Sequence, residues 1–337
     1  MFNQVLSVSP KCCPLPAGPC GRMIEGRELS SMTVSRTHQL LSLGQTSADR
    51  VRLARTGELV RVRHGAYADE AAHSALDRHR QLIAGTVPIM TAEMVLSHVS
   101  AGILHQLPSW ESTLGQVTVL RLSGGHGSRR RNLHVRLAPI EGVEITEIDG
   151  YPVTSLERTA IDLGCIHAYE RAVAVMDAAL HREAGFEVMV DTVQAARTRR
   201  GVATARAALT FADGRAESVG ESISRVRMAA AGLPVPQLQV NVFDEFGIWL
   251  ARSDFGWEAL GVLGEFDGQL KYVGTPEQVA RTVMREKDRE DRLRELGWVV
   301  VRWKWADLAD LNGFRRRIEA AIAQANPSAV RGSVRPS

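Results

Sequence analysis

Long apolar runs are missing from this 337-residue chain. None approaches the roughly 20 residues that a membrane-spanning helix needs. Aromatic residues are few, at 5%. Cysteine is scarce too: Cys12, Cys13 and Cys20 crowd into a Pro/Gly-rich stretch, and Cys165 lies in an apolar helical context. No paired CxxC knuckles appear, which argues against a structural zinc site. Charge of one sign is also lacking, because 41 basic residues face 38 acidic ones for a net +3. Nucleic-acid contact therefore has to come from local clusters rather than from a polybasic chain. The first residues are apolar but broken by prolines, unlike a secretory signal. These absences lead to the expectation of a cytoplasmic protein with no membrane partner.

What is present fits ordinary globular protein, with 45% hydrophobic and 23% charged residues. The pattern predicts an α+β multidomain chain. Residues 1–33 lack periodicity and read as a disordered tail or a misassigned start, with Met32 as the alternative first residue. Residues 34–75 form a first segment, 76–203 a mixed α/β middle region, 204–325 a C-terminal α/β core, and 326–337 a second disordered tail.

In the first segment "RTHQLLSLG" reads as a short helix closed by Gly44, followed by "QTSADRVRLARTG". Thr46 or Ser47 can cap a second helix and Gly57 can end it. Val51, Leu53 and Ala54 are expected on its inner side. Arg52 and Arg55, three apart, then share the outer face. In "ELVRVRHGAYA" Val60 and Val62 alternate with Arg61 and Arg63 at strand period, and Gly65 supplies a turn. Helix, turn, basic helix and basic hairpin is the order of a winged helix-turn-helix, which sets its second helix in a major groove and its wing over phosphates. The same four arginines also read as a solvated face.

"RTGELVRVRHGAYA", "VLSHVSAGILHQLP" and "IDGYPVTSLERTAIDLG" together resemble the N-terminal and middle regions of AbiEi-type antitoxins, across about residues 36–180. The resemblance implies a winged helix that binds operator DNA, in a family whose members can have a toxin partner. In the middle region, residues 76–107 read as helices, with His98 and His105 on a core-facing stripe. "GQVTVLRLSGGHGSRRRNLHVRLAPI" reads as two strands joined by a Gly-rich loop holding Arg129, Arg130 and Arg131. That loop is equally a phosphate contact or a solvated tip. "TSLERTAIDLG" opens a helix capped by Thr154 or Ser155.

The C-terminal region predicts strands at 237–243, 248–257 and 262–267, with "EALG" as a hairpin loop that pairs Trp257 with Val262. Asp254 then faces Glu265, with Asp267 on the diagonal. Trp249, Leu250, Phe255, Trp257, Val262, Leu263 and Phe266 read as core. Three acids on one sheet face repel one another unless a cation sits between them, and Mg²⁺ or Mn²⁺ takes such oxygens. An edge hairpin open to solvent is the alternative. A long charged helix starts at Pro276 and a buried strand runs from Trp298 to Trp303, with Lys287, Arg292 and Arg302 as candidate phosphate contacts.

The pattern "DFGW…GEFDG…K…EKDREDRLRELGWVVVRW" resembles PD-(D/E)XK nucleases, and within them the very-short-patch-repair endonuclease relatives, across about residues 215–310. The resemblance implies a restriction-endonuclease-like core. Asp254, Glu265 and Asp267 would hold the metal, Glu221 would be the helix glutamate, and Lys271 would be the basic group. The family's lysine position, two residues after Glu265, holds Asp267 instead. Two functions follow: a DNA-binding protein with metal-dependent phosphodiester cleavage, or an antitoxin-like regulator with an inactive nuclease fold.

Overall fold

The computed structural model describes residues 34–137, 144–268 and 276–336. It is α+β, with three sheets among the described residues. The described residues divide into two compact units, one holding those up to Ala212 and the other those from Asp213 onward. Among the described residues no helix is long and apolar enough to cross a membrane.

The first unit opens with β1 (Val34–Arg36), α1 (Thr37–Ser42), α2 (Ser47–Thr56), β2 (Val60–Arg63) and β3 (Ala66–Ala68). The Thr46 hydroxyl accepts from the Asp49 backbone N–H, and the Asp49 carboxylate accepts from that of Thr46. These reciprocal bonds fix the start of α2. Gly57, at φ +81°, ends it in the left-handed region that favours glycine. Strand β1, which the sequence reading missed, makes a three-stranded sheet in the order β1-β3-β2.

Next come α3 (Ala75–Thr86), β4 (Met94–Leu96), α4 (His98–Leu104), β5 (Val117–Arg121), β6 (Ser128–Arg130) and β7 (Leu133–Leu137). They are followed by β8 (Ile145–Ile148), β9 (Tyr151–Thr154), α5 (Leu156–Ile166), α6 (Tyr169–His181), α7 (Phe186–Ala195) and α8 (Val202–Phe211). The six strands pair in the order β6-β7-β5-β4-β9-β8. The two-strand hairpin expected around the Gly-rich loop is in fact three strands. β5 and β7 run parallel, and β6 is the strand that turns back on β7. The apolar sides of β4, β5, β7 and β9 pack with Leu82, Ile83, Ala101 and Leu104, and Val62 of β2 joins the same cluster.

The second unit contains α9 (Val219–Ala230), β10 (Gln237–Phe243), β11 (Trp249–Trp257), β12 (Val262–Phe266), α10 (Pro276–Glu295), β13 (Val299–Trp303), α11 (Trp305–Ala309), α12 (Leu311–Gln324) and β14 (Ser333–Pro336). The sheet order is β13-β12-β11-β10-β14, with β12 and β13 parallel. The "EALG" turn pairs Trp257 with Val262, as the loop length predicts. The expected C-terminal tail instead supplies β14, which covers the outer edge of β10. Gly264 lets two tryptophans close over β12: a Cβ there would lie 2.8 Å from the Trp303 ring and 3.1 Å from that of Trp257. Trp249, expected in the core, is 56% exposed and donates its indole N–H to Asn241.

Candidate nucleic-acid face and carboxylate site

On α2, Arg52 and Arg55 are exposed, as expected, but the inner face differs from the prediction. Val51 is 54% exposed and Ala54 is also exposed, while Arg50 is buried. The reason lies in hydrogen bonding: the Arg50 guanidinium donates to the Gln45 carbonyl at 3.2 Å and to Ser47 Oγ at 2.8 Å. A buried charge so engaged is tolerated, and its stem fills apolar space. The outward side of α2 therefore combines Ala48, Val51, Arg52 and Arg55, which line a shallow depression. Arg61 is exposed on β2. Arg63 is not part of that face; its guanidinium donates to Thr86 Oγ1 at 2.8 Å, and burial lowers its pKa. Arg129, Arg130 and Arg131 are all exposed, with Arg129 donating to Gln116.

His98 is buried, as its stripe position implied. It belongs to a network that the sequence did not reveal. The Asp162 carboxylate, fully buried, accepts from Arg158 Nε at 2.9 Å and pairs with Arg199. Arg158 reaches on to Glu144 at 2.7 Å. Burial pushes the His98 pKa down to about 3, so the ring is neutral. Its Nε2 lies 3.2 Å from Arg199 and accepts from that donor, which leaves the proton on Nδ1, 3.5 Å from Asp162. Burial alone would raise the Asp162 pKa, but its charged neighbours hold it below 3.8, and with His98 neutral that lowering rests on Arg199 and Arg158. His105 bonds to the Thr154 carbonyl at 2.7 Å. Both histidines serve the fold.

In the second unit the hairpin register pairs Phe255 with Gly264. One step further, Asp254 stands across from Glu265, and its Oδ2 accepts from the Phe266 backbone N–H at 2.8 Å. Glu221 comes from the first turn of α9, where Ser218 caps the helix. The Glu221 carboxylate accepts from Ser218 Oγ at 2.7 Å, from the Glu217 backbone N–H at 2.9 Å and from Gln239 Nε2 at 2.8 Å. Gly220, beside it, leaves room for the Phe266 ring, which a Cβ would strike. Burial, then Glu221 and Glu265, push the Asp254 pKa up to about 7 against the bond from Phe266.

Each of the other hairpin acids is drawn to a basic partner. Glu265 accepts from Arg289 at 2.9 Å and from Arg302 at 2.9 Å. Asp267 pairs with Lys304 at 3.3 Å. Among the described residues no group of three His, Cys, Asp or Glu side chains is placed to hold a metal ion. Asp254, Glu265 and Asp267 are thus not placed as such a group, whereas the charge of Glu221 acts on Asp254. Lys271 lies outside the described residues. Lys287 and Arg292 are exposed on α10, and Arg302 is committed to Glu265 and Glu290. Arg289, which the sequence reading passed over, sits in the charged run of α10 where every third or fourth residue resembles a solvated pair.

One residue of this site gave no sequence signal at all. Gln239 is 3% exposed and has φ +49° in the middle of β10. A non-glycine residue in that region costs about 1–3 kcal/mol. Its Oε1 has no hydrogen-bond partner, and an unsatisfied buried acceptor costs a further ~1–3 kcal/mol.

No family model matches the chain. Two curated proteins of Mycobacterium tuberculosis are similar to it: the uncharacterized protein MT2308 of strain CDC 1551 and the uncharacterized protein Rv2248 of strain H37Rv. Each is 36% identical over 163 residues, which is 48% of this chain and 57% of the relative. The chain thus spans little more than half the length of these curated relatives. Among solved structures, the RV2827C protein of Mycobacterium tuberculosis aligns with 53% of this chain and 76% of its own, at 14% identity and a TM-score of 0.35.

Proposed function

We propose that the protein binds DNA through a winged helix-turn-helix formed by α1, α2 and the β2–β3 hairpin, and that its second unit is a nuclease-like domain for phosphodiester cleavage. The observation that carries this reading is the outward face of α2. Arg52 and Arg55 flank exposed Ala48 and Val51, and nothing acidic lies among these lining residues. Arginines suit phosphates and guanine edges, and small apolar groups suit the methyl group of thymine. Exposed Arg61 and the Arg129–Arg131 cluster add phosphate contacts.

The nuclease half rests on the order helix, hairpin, helix, strand and on Asp254 beside Glu221 and across from Glu265. Mg²⁺ or Mn²⁺ is the cofactor that reading calls for. The test is fluorescence anisotropy with labelled duplex DNA at low and moderate salt. Arg52→Ala with Arg55→Ala should weaken binding and flatten the salt dependence by about two units of slope, one for each lost contact. Unchanged binding would remove the winged-helix role. Nicking of plasmid DNA by the parent and not by Asp254→Ala tests the nuclease half.

A second reading is a non-enzymatic, antitoxin-like regulator, cytoplasmic and with a toxin partner. It is favoured by Arg289 and Arg302 occupying both oxygens of Glu265 and by Lys304 holding Asp267. DNA binding without nicking under any divalent cation supports it.

A further inference from the structure

Gln239 departs from strand geometry and from hydrogen-bond satisfaction at the same place. Its carboxamide is anchored at one end, where Nε2 donates to Glu221 Oε2 at 2.8 Å. The other end, Oε1, is buried and has no donor. Along the β10–β11 ladder, Leu238 pairs with Phe255 and Val240 with Ser253, so Gln239 stands across from Asp254. An amide carbonyl without a partner thus belongs to a residue in register with Asp254 and bonded to Glu221, whose charge opposes that of Asp254. Arg252, whose charge favours ionised Asp254, is itself paired with Glu217. The nearby guanidinium groups of Arg289 and Arg302 are already engaged by Glu265. Divalent cations such as Mg²⁺ take carboxylate and amide carbonyl oxygens alike, and keep waters for the remaining positions.

We propose that Glu221, Gln239 and Asp254 form the cation site of this unit, with Gln239 Oε1 as a ligand and Glu265 left to its arginines. The inference rests on the metal half of the function proposed above and replaces its ligand set. The left-handed backbone at Gln239 then has a use, because an ordinary extended residue at this position would direct its side chain differently.

The experiment is calorimetric titration of Mn²⁺ into the full chain and into Gln239→Leu, Asp254→Asn and Glu265→Gln, with thermal unfolding to confirm that each variant folds. The parent should bind, Asp254→Asn should not, and Gln239→Leu should bind about tenfold or more weakly. Glu265→Gln should stay within about threefold of the parent, as expected for a nearby charge rather than a ligand. Equal affinity in Gln239→Leu would overturn the role of Oε1 while leaving the metal reading intact. Loss in Glu265→Gln with none in Gln239→Leu would return the site to the hairpin acids. Should Gln239→Leu fail to fold, Gln239→Glu serves instead: it keeps an oxygen at that position and should bind Mn²⁺ at least as tightly as the parent, and weaker binding would overturn the proposal. A parent that binds no Mn²⁺ at millimolar concentration would overturn both the proposal and the metal half of the function, and would leave DNA binding standing.

Discussion

Asp162 and Asp254 are both carboxylates withdrawn from water, and their pKa values move in opposite directions. Around Asp162 the structure gathers Arg158 and Arg199, and the pKa falls. Around Asp254 it gathers Glu221 and Glu265, while Arg289 and Arg302 turn to Glu265 and Arg252 to Glu217, and the pKa rises to about 7. Burial acts the same way on both, so the neighbours decide. A carboxylate surrounded by guanidinium groups holds elements together. One placed beside other acids raises the folding free energy and suits a site that awaits a cation.

The largest test of this contrast is Asp162→Asn, which leaves buried Arg158 and half-buried Arg199 short of their counter-charge. Breaking a buried pair in this way costs roughly 3–5 kcal/mol, read as a lower denaturation midpoint for the unit that contains it. A loss below about 1 kcal/mol, the range of exposed pairs, would mean that the network contributes little. Asp254→Asn should do the reverse. A group whose folded pKa is raised from 3.8 to about 7 is at no disadvantage when protonated, and the cost grows as pH rises between those values. The variant should therefore exceed the parent by up to about 4 kcal/mol at pH 8 and match it in acid. Urea unfolding at a series of pH values checks this, and a gain that does not depend on pH would sink it. Ionised Asp162 has the opposite sign: its contribution is present above 3.8 and is lost as pH falls below that value.

A third substitution probes the packing that holds the acid hairpin. Gly264→Ala would push a methyl group against Trp303 and Trp257, and overpacking of this kind costs about 1–3 kcal/mol. The smallest effect belongs to Arg289→Ala. Its pair with Glu265 is partly exposed, so stability should drop by less than about 1 kcal/mol. The freed Glu265 charge should also raise the Asp254 pKa further, which carboxyl-detected NMR would register.

The sequence made the Asp254 hairpin readable and left the Asp162 network hidden, for a physical reason. Two alternating apolar runs around a four-residue loop determine which residues face each other, so Trp257 opposite Val262 and Asp254 opposite Glu265 follow from counting. Arg158 and Asp162, four apart, look like any surface pair on a helix. Only the packing of α5 buries them, and Arg199 arrives from 37 residues further on. The parallel pairing of β5 with β7 was illegible for the same reason, because alternation marks a strand and says nothing of its neighbour. The inner face of α2 misled because hydropathy favours Val51 over Arg50, while the structure had a carbonyl and a hydroxyl ready for the guanidinium. Gln239 could not be foreseen, since nothing local marks a glutamine for the left-handed region.

The pairing of β10 with β14 bears on the order of events during synthesis. Phe243 meets Ser333, and Val240 meets Pro336. One edge of β10 can close at once against β11, but the other has to wait for a strand made much later. Until then the emerging chain presents an open row of amide and carbonyl groups next to exposed Phe246, Ile248 and Trp249, the kind of edge that recruits strands from other chains. Late closure of this sheet makes it the step at which chaperone dependence and yield on expression would be decided.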